Sequence, residues 1–558
     1  MDPLHDEIAL PMSQAALDAF RSLPHLFLAN LTAPERVIAL ESFLHLDFAS
    51  KGTKTPRELQ ILATIAVRSG KDLLVRSGTG SGKTIAMILP VLMMSPKSVA
   101  VTISPLRLIQ DNHVTEFSKF GIPSIAINCY TPDDPSLWKS IKNHTMYRHY
   151  SVSPEQCGPY EGHIPRFAKL LHDPKWVKAV KLLQIDEAHF IATTGQAKGK
   201  EAAFRPAFSD LGERVRVHLP SSAVCTAYSA SMPNRVCNLL MKTLRMEPTK
   251  TVKLELSTNR PNLIYATIPM IGSINNFTNL HFLFRQPFPA NYLLPKSMIF
   301  LDDKKKAAKL ARHLNSELSP ALAAQEPFRH YHSSMSKHYL EDTVARFRET
   351  NGGVRCLIAT ESASNGFDIP NIRLIVLYGV PKTEYEKDQR GGRGGRDGLE
   401  CLVLTIAESW AFENLAVTDP AHEPGKKEQR TEKAVIAAAS SKKCRRKTLA
   451  DHNDDNTPTG TLISTAITYS GRWCCDNHDD DFDISAFLPG PLPQPETSDS
   501  DAAPKRRRRR RRYRPVPLRQ PLMSALEEWR QQVHASDPVA KDFPQSYILD
   551  SQSIVLLA

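Results

Sequence analysis

The sequence contains 558 residues, of which 41% are hydrophobic, and this is enough for roughly two to four domains with buried cores. Its formal net charge of +12 indicates a polyanionic partner such as nucleic acid or acidic lipid. The nine cysteines lack regular spacing, the first residues lack the pattern of a signal peptide, and no apolar run is long enough for a bilayer. These features argue against a secreted or membrane-spanning class, so we expect a reducing compartment and no membrane partner.

After short amphipathic helices within residues 1–50, the first chemical motif is KDLLVRSGTGSGKT, residues 71–84. Its order of buried strand, glycine-rich turn and helix is typical of a phosphate cradle, because backbone N–H groups and the helix N-terminus can both face phosphate oxygens. Lys83 is placed to reach the β- and γ-phosphates, and the Thr84 hydroxyl to ligate Mg²⁺. A glycine-rich turn that binds nothing is the alternative, and the strand before and helix after argue against it. The predicted nucleotide site comprises Ser77 (where the strict pattern has Gly), Gly78, Thr79, Gly80, Ser81, Gly82, Lys83 and Thr84.

Two further apolar runs end in polar residues. SVAVTISPLRLIQDN predicts a central parallel strand ending at Ser104, on the same side of the sheet as the phosphate loop. KLLQIDEAHF places Asp186 and Glu187 at the end of another strand. Asp186 would hold Mg²⁺ directly or through water, and Glu187 would orient and deprotonate the attacking water. His189 is placed to sense the γ-phosphate and to couple it to a neighbouring lobe.

These motifs occur in one order with SerThrAsnArgProAsnLeu (257–263), IATESASNGFDIP (358–370) and QRGGRGGRDG (389–398). Together they resemble the RecQ branch of superfamily 2 DNA helicases over about two-thirds of the chain. The resemblance implies an α/β fold of two tandem RecA-like lobes with parallel sheets, followed by a small zinc-binding helical subdomain and a largely disordered basic tail. It also implies ATP and Mg²⁺ as cofactors, single-stranded and duplex DNA as partners, and ATP-driven translocation 3′ to 5′ with duplex opening.

The resemblance assigns roles to individual residues. An adenine reader would be formed at Arg57-x-x-Gln60, since an amide can donate to and accept from adenine at once. Arginines near residue 393 would reach across the cleft and stabilise charge on the transferring phosphoryl group. Arg107 could equally be a solvated surface charge. The nucleotide contacts implied are Arg57, Gln60 and Asp368; the catalytic residues across the cleft are Gln389, Arg393 and Arg396; the DNA contacts are Ser104, Arg107, Phe204, Arg205 and Thr360.

The sequence departs from the family pattern at three coupling positions. The loop before Phe204 lacks the family's Trp, Ser229-Ala230-Ser231 replaces Thr-Ala-Thr, and Ser364-Asn365 replaces Gly-Met. The first and last of these departures put the coupling between ATP hydrolysis and DNA in doubt, whereas the second conserves both hydroxyls.

The carboxyl-terminal third contains Cys444 and the run CCDNH, residues 474–478. This pattern resembles the RecQ zinc subdomain, in which four N or S ligands supply folding energy to a small module. The predicted ligands are Cys444, Cys474, Cys475 and His478. Three free thiols without metal are the alternative.

The predicted domains are residues 1–50 (helical extension), 51–255 (ATP-binding lobe), 256–415 (second lobe), 416–485 (zinc subdomain), 486–515 (disordered linker) and 516–558 (short terminal segment). The linker contains Lys505 and an unbroken arginine run, 506–512, which predicts a nuclear location or a phosphate clamp. The winged-helix module of many RecQ proteins is not recognisable, which predicts a shortened C-terminal region. An RNA helicase of the same superfamily and a nuclear nucleic-acid-binding scaffold with an uncoupled core are the alternatives. Protein partners are not predicted.

Overall fold

The computed structural model describes residues 13–78, 80–144, 146–159, 162–196, 203, 205–284, 294–332, 334–350, 352–360, 369–413, 426–456, 471–478, 481–493, 516–536, 545, 548–549 and 554. The chain forms two compact units, Met1–Gln494 and Pro495–Ala558. Among the described residues, no helix combines the length and apolarity needed to cross a membrane. The predicted basic run at 505–512 lies outside the described residues.

Four helices open the first unit: α1 (Gln14–Arg21), α2 (His25–Ala29), α3 (Ala33–Ser50) and α4 (Glu58–Arg68). Helix α3 begins with a capping box, in which the Thr32 N–H and hydroxyl both donate to the Glu35 carboxylate at 2.8 Å. Phe43 of α3 is buried against Ile61 and Ile65 of α4. These contacts attach the helical extension to α4, the helix that precedes β1 and the phosphate loop.

The first lobe is a seven-stranded sheet in the order β3-β4-β2-β5-β6-β1-β7, and all its strand pairs are parallel. Its central strands are almost wholly buried because helices cover both faces. The strands are β1 (Asp72–Arg76), β2 (Val99–Ile103), β3 (Ser124–Ile127), β4 (His149–Val152), β5 (Val180–Ile185), β6 (Val224–Ser229) and β7 (Thr251–Glu255). The helices are α5 (Lys83–Leu92), α6 (Arg107–Lys119), α7 (Pro135–Asn143), α8 (Arg166–Leu170), α9 (Pro174–Ala179), α10 (Phe190–Thr193), α11 (Leu211–Arg214) and α12 (Asn234–Thr243).

The second lobe is a six-stranded parallel sheet in the order β10-β11-β9-β12-β13-β8. The strands are β8 (Leu263–Pro269), β9 (Ser297–Phe300), β10 (Phe328–Tyr331), β11 (Cys356–Ala359), β12 (Leu374–Tyr378) and β13 (Cys401–Ala407). The helices are α13 (Lys304–Ser316), α14 (Pro320–Ala323), α15 (Lys337–Arg348), α16 (Glu384–Gly391) and α17 (Trp410–Glu413). The predicted fold of two tandem RecA-like lobes with parallel sheets is confirmed.

A small C-terminal subdomain packs on the second lobe. It contains α18 (Lys426–Arg430), α19 (Lys433–Ser440) and α20 (Arg445–His452), and an isolated parallel bridge joins Cys475 to Tyr265 of β8. The second unit contains α21 (Val516–Ser536). The predicted domain boundaries stay predictions.

Candidate nucleotide site in the cleft between the lobes

The phosphate loop joins β1 to α5 in the conformation that the glycines were expected to allow. Gly80 and Gly82 have φ values of +85° and +89°, and a Cβ on Gly82 would lie 2.4 Å from the Gln60 amide nitrogen. The Lys83 Nζ donates to the carbonyls of Ser77 at 2.7 Å and Gly78 at 3.1 Å. Lys83 therefore lies over its own loop, where bound phosphates would be held. Thr79 lies outside the described residues.

Charged groups from both lobes surround Lys83. Burial lowers the pKa of the Lys83 ammonium, the carboxylates of Glu187 and Asp186 act against this, and the positive charges of Arg396 and Arg393 reinforce it. Two arginines of the second lobe are thus close enough to the phosphate loop to influence its lysine. A bound polyphosphate would neutralise the positive charges of Lys83, Arg393 and Arg396.

The two acidic residues at the end of β5 differ in electrostatics. Burial raises the pKa of Glu187 to about 7, and the neighbouring Asp186 charge adds to this. Burial acts on Asp186 in the same direction, but a contact of 3.0 Å between its Oδ2 and the His113 Nε2 lowers its pKa below the usual value. Asp186 is therefore suited to hold a cation, and Glu187 to act as a base near neutral pH. His113 was not predicted, because it lies within α6, outside any motif.

Glu187 has a positive φ of +48°, which is a strained conformation for a residue with a side chain. Its N–H donates to the Asp186 Oδ1 at 2.9 Å, which holds the turn that carries both carboxylates.

His189 connects the two lobes. Its Nδ1 lies 2.9 Å from the Ser229 hydroxyl at the end of β6, and its ring centre lies 3.7 Å from that of Tyr385 on α16. Tyr385 also hydrogen bonds to Gln389, one turn further along the same helix face. The expected coupling residue His189 therefore contacts the second lobe directly. Its partner Tyr385 was missed, because nothing in the sequence marks which residue of α16 faces His189.

The SerThrAsnArgProAsn stretch shapes the loop that carries the cleft arginines. The Arg260 guanidinium is buried and donates to the carbonyls of Gly394 at 2.9 Å and Gly395 at 2.8 Å. The Asn262 amide donates to Gly395 at 2.7 Å and Leu399 at 2.8 Å. Gly395 has a φ of +53°, and a Cβ there would lie 2.4 Å from the Asn262 amide nitrogen. Arg260 and Asn262 therefore position Arg393 and Arg396, a role that the sequence did not indicate.

The predicted adenine reader lies beside the phosphate loop. The Gln60 Nε2 donates to the Gly82 carbonyl at 3.1 Å, and its Oε1 accepts from the Arg57 N–H at 2.9 Å. The Arg57 guanidinium donates to the Gly80 carbonyl at 3.5 Å. Both side chains thus contact the loop, and their contact with adenine stays a prediction.

Two known protein families match the parts of the sequence that form this cleft. The DEAD/DEAH box helicase family matches residues 56–239, and the helicase conserved C-terminal domain matches residues 291–398. The chain carries the two domains of a DEAD/DEAH box helicase. The family matches include the phosphate loop and the acidic pair in the first lobe and the arginine loop in the second.

Curated relatives of these helicase domains include DNA and RNA helicases. The ATP-dependent DNA helicase hus2/rqh1 of Schizosaccharomyces pombe is 27% identical over 72% of this chain and 29% of its own length. The ATP-dependent DNA helicase RecQ of Bacillus subtilis is 24% identical over 65% of this chain and 57% of its own. The DEAD-box ATP-dependent RNA helicase 31 of Oryza sativa is 25% identical over 62% and 61%. The chain thus spans between 29% and 59% of the length of the first relatives it matches.

A solved structure supports the two-lobe fold. Saccharomyces cerevisiae Dbp5, in a structure bound to RNA and ADP BeF3, matches with a TM-score of 0.50 and 18% identity over 76% of this chain and 92% of its own. At this identity the likeness concerns the fold alone.

The residues predicted to contact DNA differ in accessibility within the first helicase domain. Ser104 is fully buried, so its hydroxyl does not face a DNA strand in this structure. The Arg107 side chain is 48% exposed, and its guanidinium lies 4.5 Å from the ring centre of Tyr130, which is 71% exposed. Arg205 is bound to both oxygens of Glu155 at 2.8 Å. An exposed arginine on an exposed ring is the surface type on which bases stack. Tyr130 was missed in the sequence.

Of five further residues singled out in the sequence, only one lies in the described part of the helicase domains. Thr360 is buried at the end of β11. Phe204, Asp368, Ser364 and Asn365 lie outside the described residues.

Three of the four predicted zinc ligands come together beside β8, and Cys475 is not part of this group. Ligand atoms of Cys444, Cys474 and His478 all lie within 4.8 Å of one another. The Cys444 sulfur lies 3.5 Å from that of Cys474 and 3.8 Å from that of Cys475. Tetrahedral zinc thiolates, with Zn–S bonds of about 2.3 Å, have sulfurs about 3.8 Å apart. The hydrogen bond between Cys474 and Cys475 lowers the pKa of Cys475 and raises that of Cys474, so it favours one thiolate in the pair. The donor set fits a zinc ion.

Proposed function

We propose that the chain is an ATP-dependent DNA helicase that translocates 3′ to 5′ on single-stranded DNA and unwinds duplexes during nuclear DNA repair, recombination or replication. One observation carries the hydrolysis: Lys83, Asp186 and Glu187 of the first lobe share a cleft with Arg393 and Arg396 of the second. The choice of DNA rests on the sequence similarity to RecQ helicases.

Each residue of the cleft has a step in this mechanism. The phosphate loop and Lys83 hold the β- and γ-phosphates, with Gln60 and Arg57 beside the loop for adenine. Thr84 and Asp186 would hold Mg²⁺, which would neutralise charge on the phosphates. Glu187, with its pKa near 7, takes the proton of the attacking water. Gln389 hydrogen bonds to Tyr385, and the ring of Tyr385 contacts His189, the γ-phosphate sensor in this mechanism.

The arginines make the reaction depend on the second lobe. Arg393 and Arg396 stabilise the charge that develops on the transferring phosphoryl group, and they can do so only when the cleft is closed. Closure and opening change the distance between the DNA contacts of the two lobes, and this converts hydrolysis into movement along a strand. Arg107 and Tyr130 provide the exposed contact for that strand on the first lobe.

Zinc is proposed for the C-terminal subdomain, held by Cys444, Cys474, Cys475 and His478. Purified protein should then contain about one equivalent of Zn²⁺, and Cys474→Ser together with His478→Ala should remove it. Zinc content that is negligible in the parent protein, or unchanged in the variant, would contradict this assignment.

An RNA helicase is the second candidate, because RNA helicases of the same family also match this chain. The two functions differ in whether 2′-hydroxyl groups are accepted along the bound strand.

The test is ATP turnover with no nucleic acid, with single-stranded DNA and with single-stranded RNA of one sequence. Lys83→Ala serves as the blank, since it removes the phosphate contact. Stimulation by DNA that exceeds stimulation by RNA and disappears in Lys83→Ala supports the proposal. Equal or greater stimulation by RNA selects the second candidate. Tight binding of either strand without stimulation would identify a scaffold that retains a nucleotide pocket.

A further inference from the structure

Two of the three residues after α20, Asn453 and Asp455, are buried although both are polar, and Asp454 between them is exposed. Asn453 is fully buried and Asp455 is 8% exposed, while Asp454 adopts a left-handed φ of +49°. We call residues 453–455 the interlobe turn. Polar groups at such depth need partners, because an unsatisfied buried donor or acceptor costs about 1–3 kcal/mol. The partners of the interlobe turn come from the first lobe and from the segment that connects the two lobes.

The first set of partners belongs to the ATP-binding lobe. The Arg76 guanidinium donates to the Asn453 carbonyl at 2.8 Å, and the Ser231 hydroxyl donates to the Asn453 Oδ1 at 2.6 Å. The Asn234 N–H donates to the Asp454 carboxylate at 2.8 Å. Arg76 is the last residue of β1, directly before the phosphate loop. The turn therefore touches the base of the loop.

Ser231 brings the same turn close to the γ-phosphate sensor. The Ser231 N–H donates to the Ser229 hydroxyl at 3.2 Å, and that hydroxyl lies 2.9 Å from His189. Three hydrogen bonds, through Ser231 and Ser229, thus connect Asn453 to the imidazole of His189, which contacts Tyr385 of the second lobe.

The second set of partners belongs to the segment that connects the lobes. The Asp455 Oδ2 accepts from the Thr258 N–H at 2.6 Å and from its hydroxyl at 2.9 Å. Its other oxygen lies 3.7 Å from the Arg76 guanidinium. Thr258 belongs to the stretch that continues into Arg260, which shapes the arginine loop.

The start of α20 is anchored on the second lobe. Arg446 donates to the carbonyl of Pro261 at 3.1 Å and to that of Leu263 at 2.8 Å. Arg445 forms a salt bridge with Asp476, whose carboxylate accepts from the Thr267 N–H of β8 at 2.8 Å. The helix is therefore attached to one lobe at its start, and the turn that follows it is attached to the other.

We propose that the interlobe turn is a second connection between the lobes, and that Asn453 and Asp455 are positioning residues for nucleic-acid-stimulated ATP hydrolysis. This inference rests on the proposed helicase function. Cleft closure would move Arg76 and Ser231 of the first lobe relative to β8 of the second, and α20 with the interlobe turn is bonded to both. It consequently limits the positions that the lobes can take, and it aligns Ser231, and through it His189, in the closed state. The C-terminal subdomain thereby gains control over ATP turnover without contacting ATP.

The test compares Asn453→Ala and Asp455→Asn with the parent protein. We expect each to lower the DNA-stimulated kcat about 10-fold, which is the effect of one lost buried hydrogen bond on a closed state. The unstimulated turnover and the KM for ATP should change less than about 2-fold, because both residues contact Arg76, which precedes the loop, and not the described residues 77–78 and 80–84 of the loop. A smaller folded fraction would instead lower the stimulated and the unstimulated turnover by the same factor and leave the KM unchanged.

The matched control is Asp451→Asn on the outer face of the same helix. Asp451 pairs with Lys447 at 2.6 Å, and both side chains are more than half exposed. This variant should behave like the parent protein in every assay. Ser231→Ala should reproduce the Asn453→Ala defect, and the double variant should be no worse than either single one.

A readout independent of DNA is the change in radius of gyration, by small-angle X-ray scattering, when a non-hydrolysable ATP analogue binds. Asn453→Ala should alter the compaction seen in the parent protein. Equal compaction and equal stimulation in both proteins would overturn the interlobe connection and leave the helicase proposal intact. A parent protein that compacts with the analogue but is not stimulated by DNA would contradict the helicase proposal. The difference in compaction between the parent protein and Asn453→Ala would still test whether the interlobe turn connects the lobes.

Discussion

The two lobes meet in two chemically different ways. Across the cleft, the contact between His189 and Tyr385 is a pair of rings, and the remaining groups are charges that face each other. At the interlobe turn, the contact consists of buried hydrogen bonds from Asn453 and Asp455. The interaction energy of the facing charges depends on the ligand bound between them, whereas buried hydrogen bonds are favourable in one geometry only. The cleft is therefore suited to open and close, and the interlobe turn to set the range of that motion.

The largest expected effect concerns the facing charges. Arg393→Ala should reduce ATP turnover about 10³-fold or more, because it removes a transition-state contact that closure supplies. Arg393→Lys should restore little, since an ammonium does not reproduce the planar guanidinium fork. Steady-state ATP hydrolysis measures both. The control is Arg312→Ala on the exposed face of α13, which should not change ATP turnover. If Arg393→Ala hydrolyses ATP at the parent rate, Arg393 does not take part in the reaction.

Glu187→Gln should lower turnover about 10²- to 10⁴-fold while ATP still binds, because the amide cannot accept the proton of the attacking water. The pKa of Glu187 is raised to about 7 by burial and by Asp186. The base acts only when deprotonated, so kcat should fall about tenfold per unit as the pH drops below about 7. Glu187→Gln should lack this acidic limb. A pH profile of ATP turnover from pH 5.5 to 9 shows both, and a flat parent profile would assign the proton transfer to another group.

The cleft could be predicted from the sequence far better than the interlobe turn. Lys83 lies in a short motif after strand β1, and Asp186 and Glu187 directly follow strand β5. The local pattern and the shared direction of the strands therefore predicted that these residues lie close together. The contact of Asn453 with Ser231 joins residues far apart in the chain, and neither local pattern nor charge marks it. The sequence also did not predict that Arg205 binds Glu155, since this partner depends on how two loops pack, and its contact with DNA stays a prediction.

A smaller effect is expected at the ring contact across the cleft. Tyr385→Ala should lower the DNA-stimulated kcat about 10-fold with little change in unstimulated turnover, because it removes the path from His189 to the second lobe. Tyr385→Phe retains the ring and should lose less than Tyr385→Ala. Equal losses in the two variants would show that the hydroxyl, which contacts Gln389, carries the coupling instead of the ring.

The smallest effect is expected on the strand contact of the first lobe. Tyr130→Ala should weaken binding of single-stranded DNA about 5-fold, which corresponds to the lower end of the energy of one base stacked on an aromatic ring. Tyr130→Trp should retain affinity. Fluorescence anisotropy with a labelled oligonucleotide measures this, and unchanged affinity in Tyr130→Ala would place the strand elsewhere on the lobe.

The most direct test of the account is ATP-dependent strand displacement on two duplexes of one sequence, one with a 3′ single-stranded tail and one with a 5′ tail. The account predicts that the parent protein displaces the strand of the 3′-tailed duplex only, and that Lys83→Ala displaces neither. Displacement that prefers the 5′ tail, or ATP hydrolysis stimulated by DNA without any displacement, would contradict it.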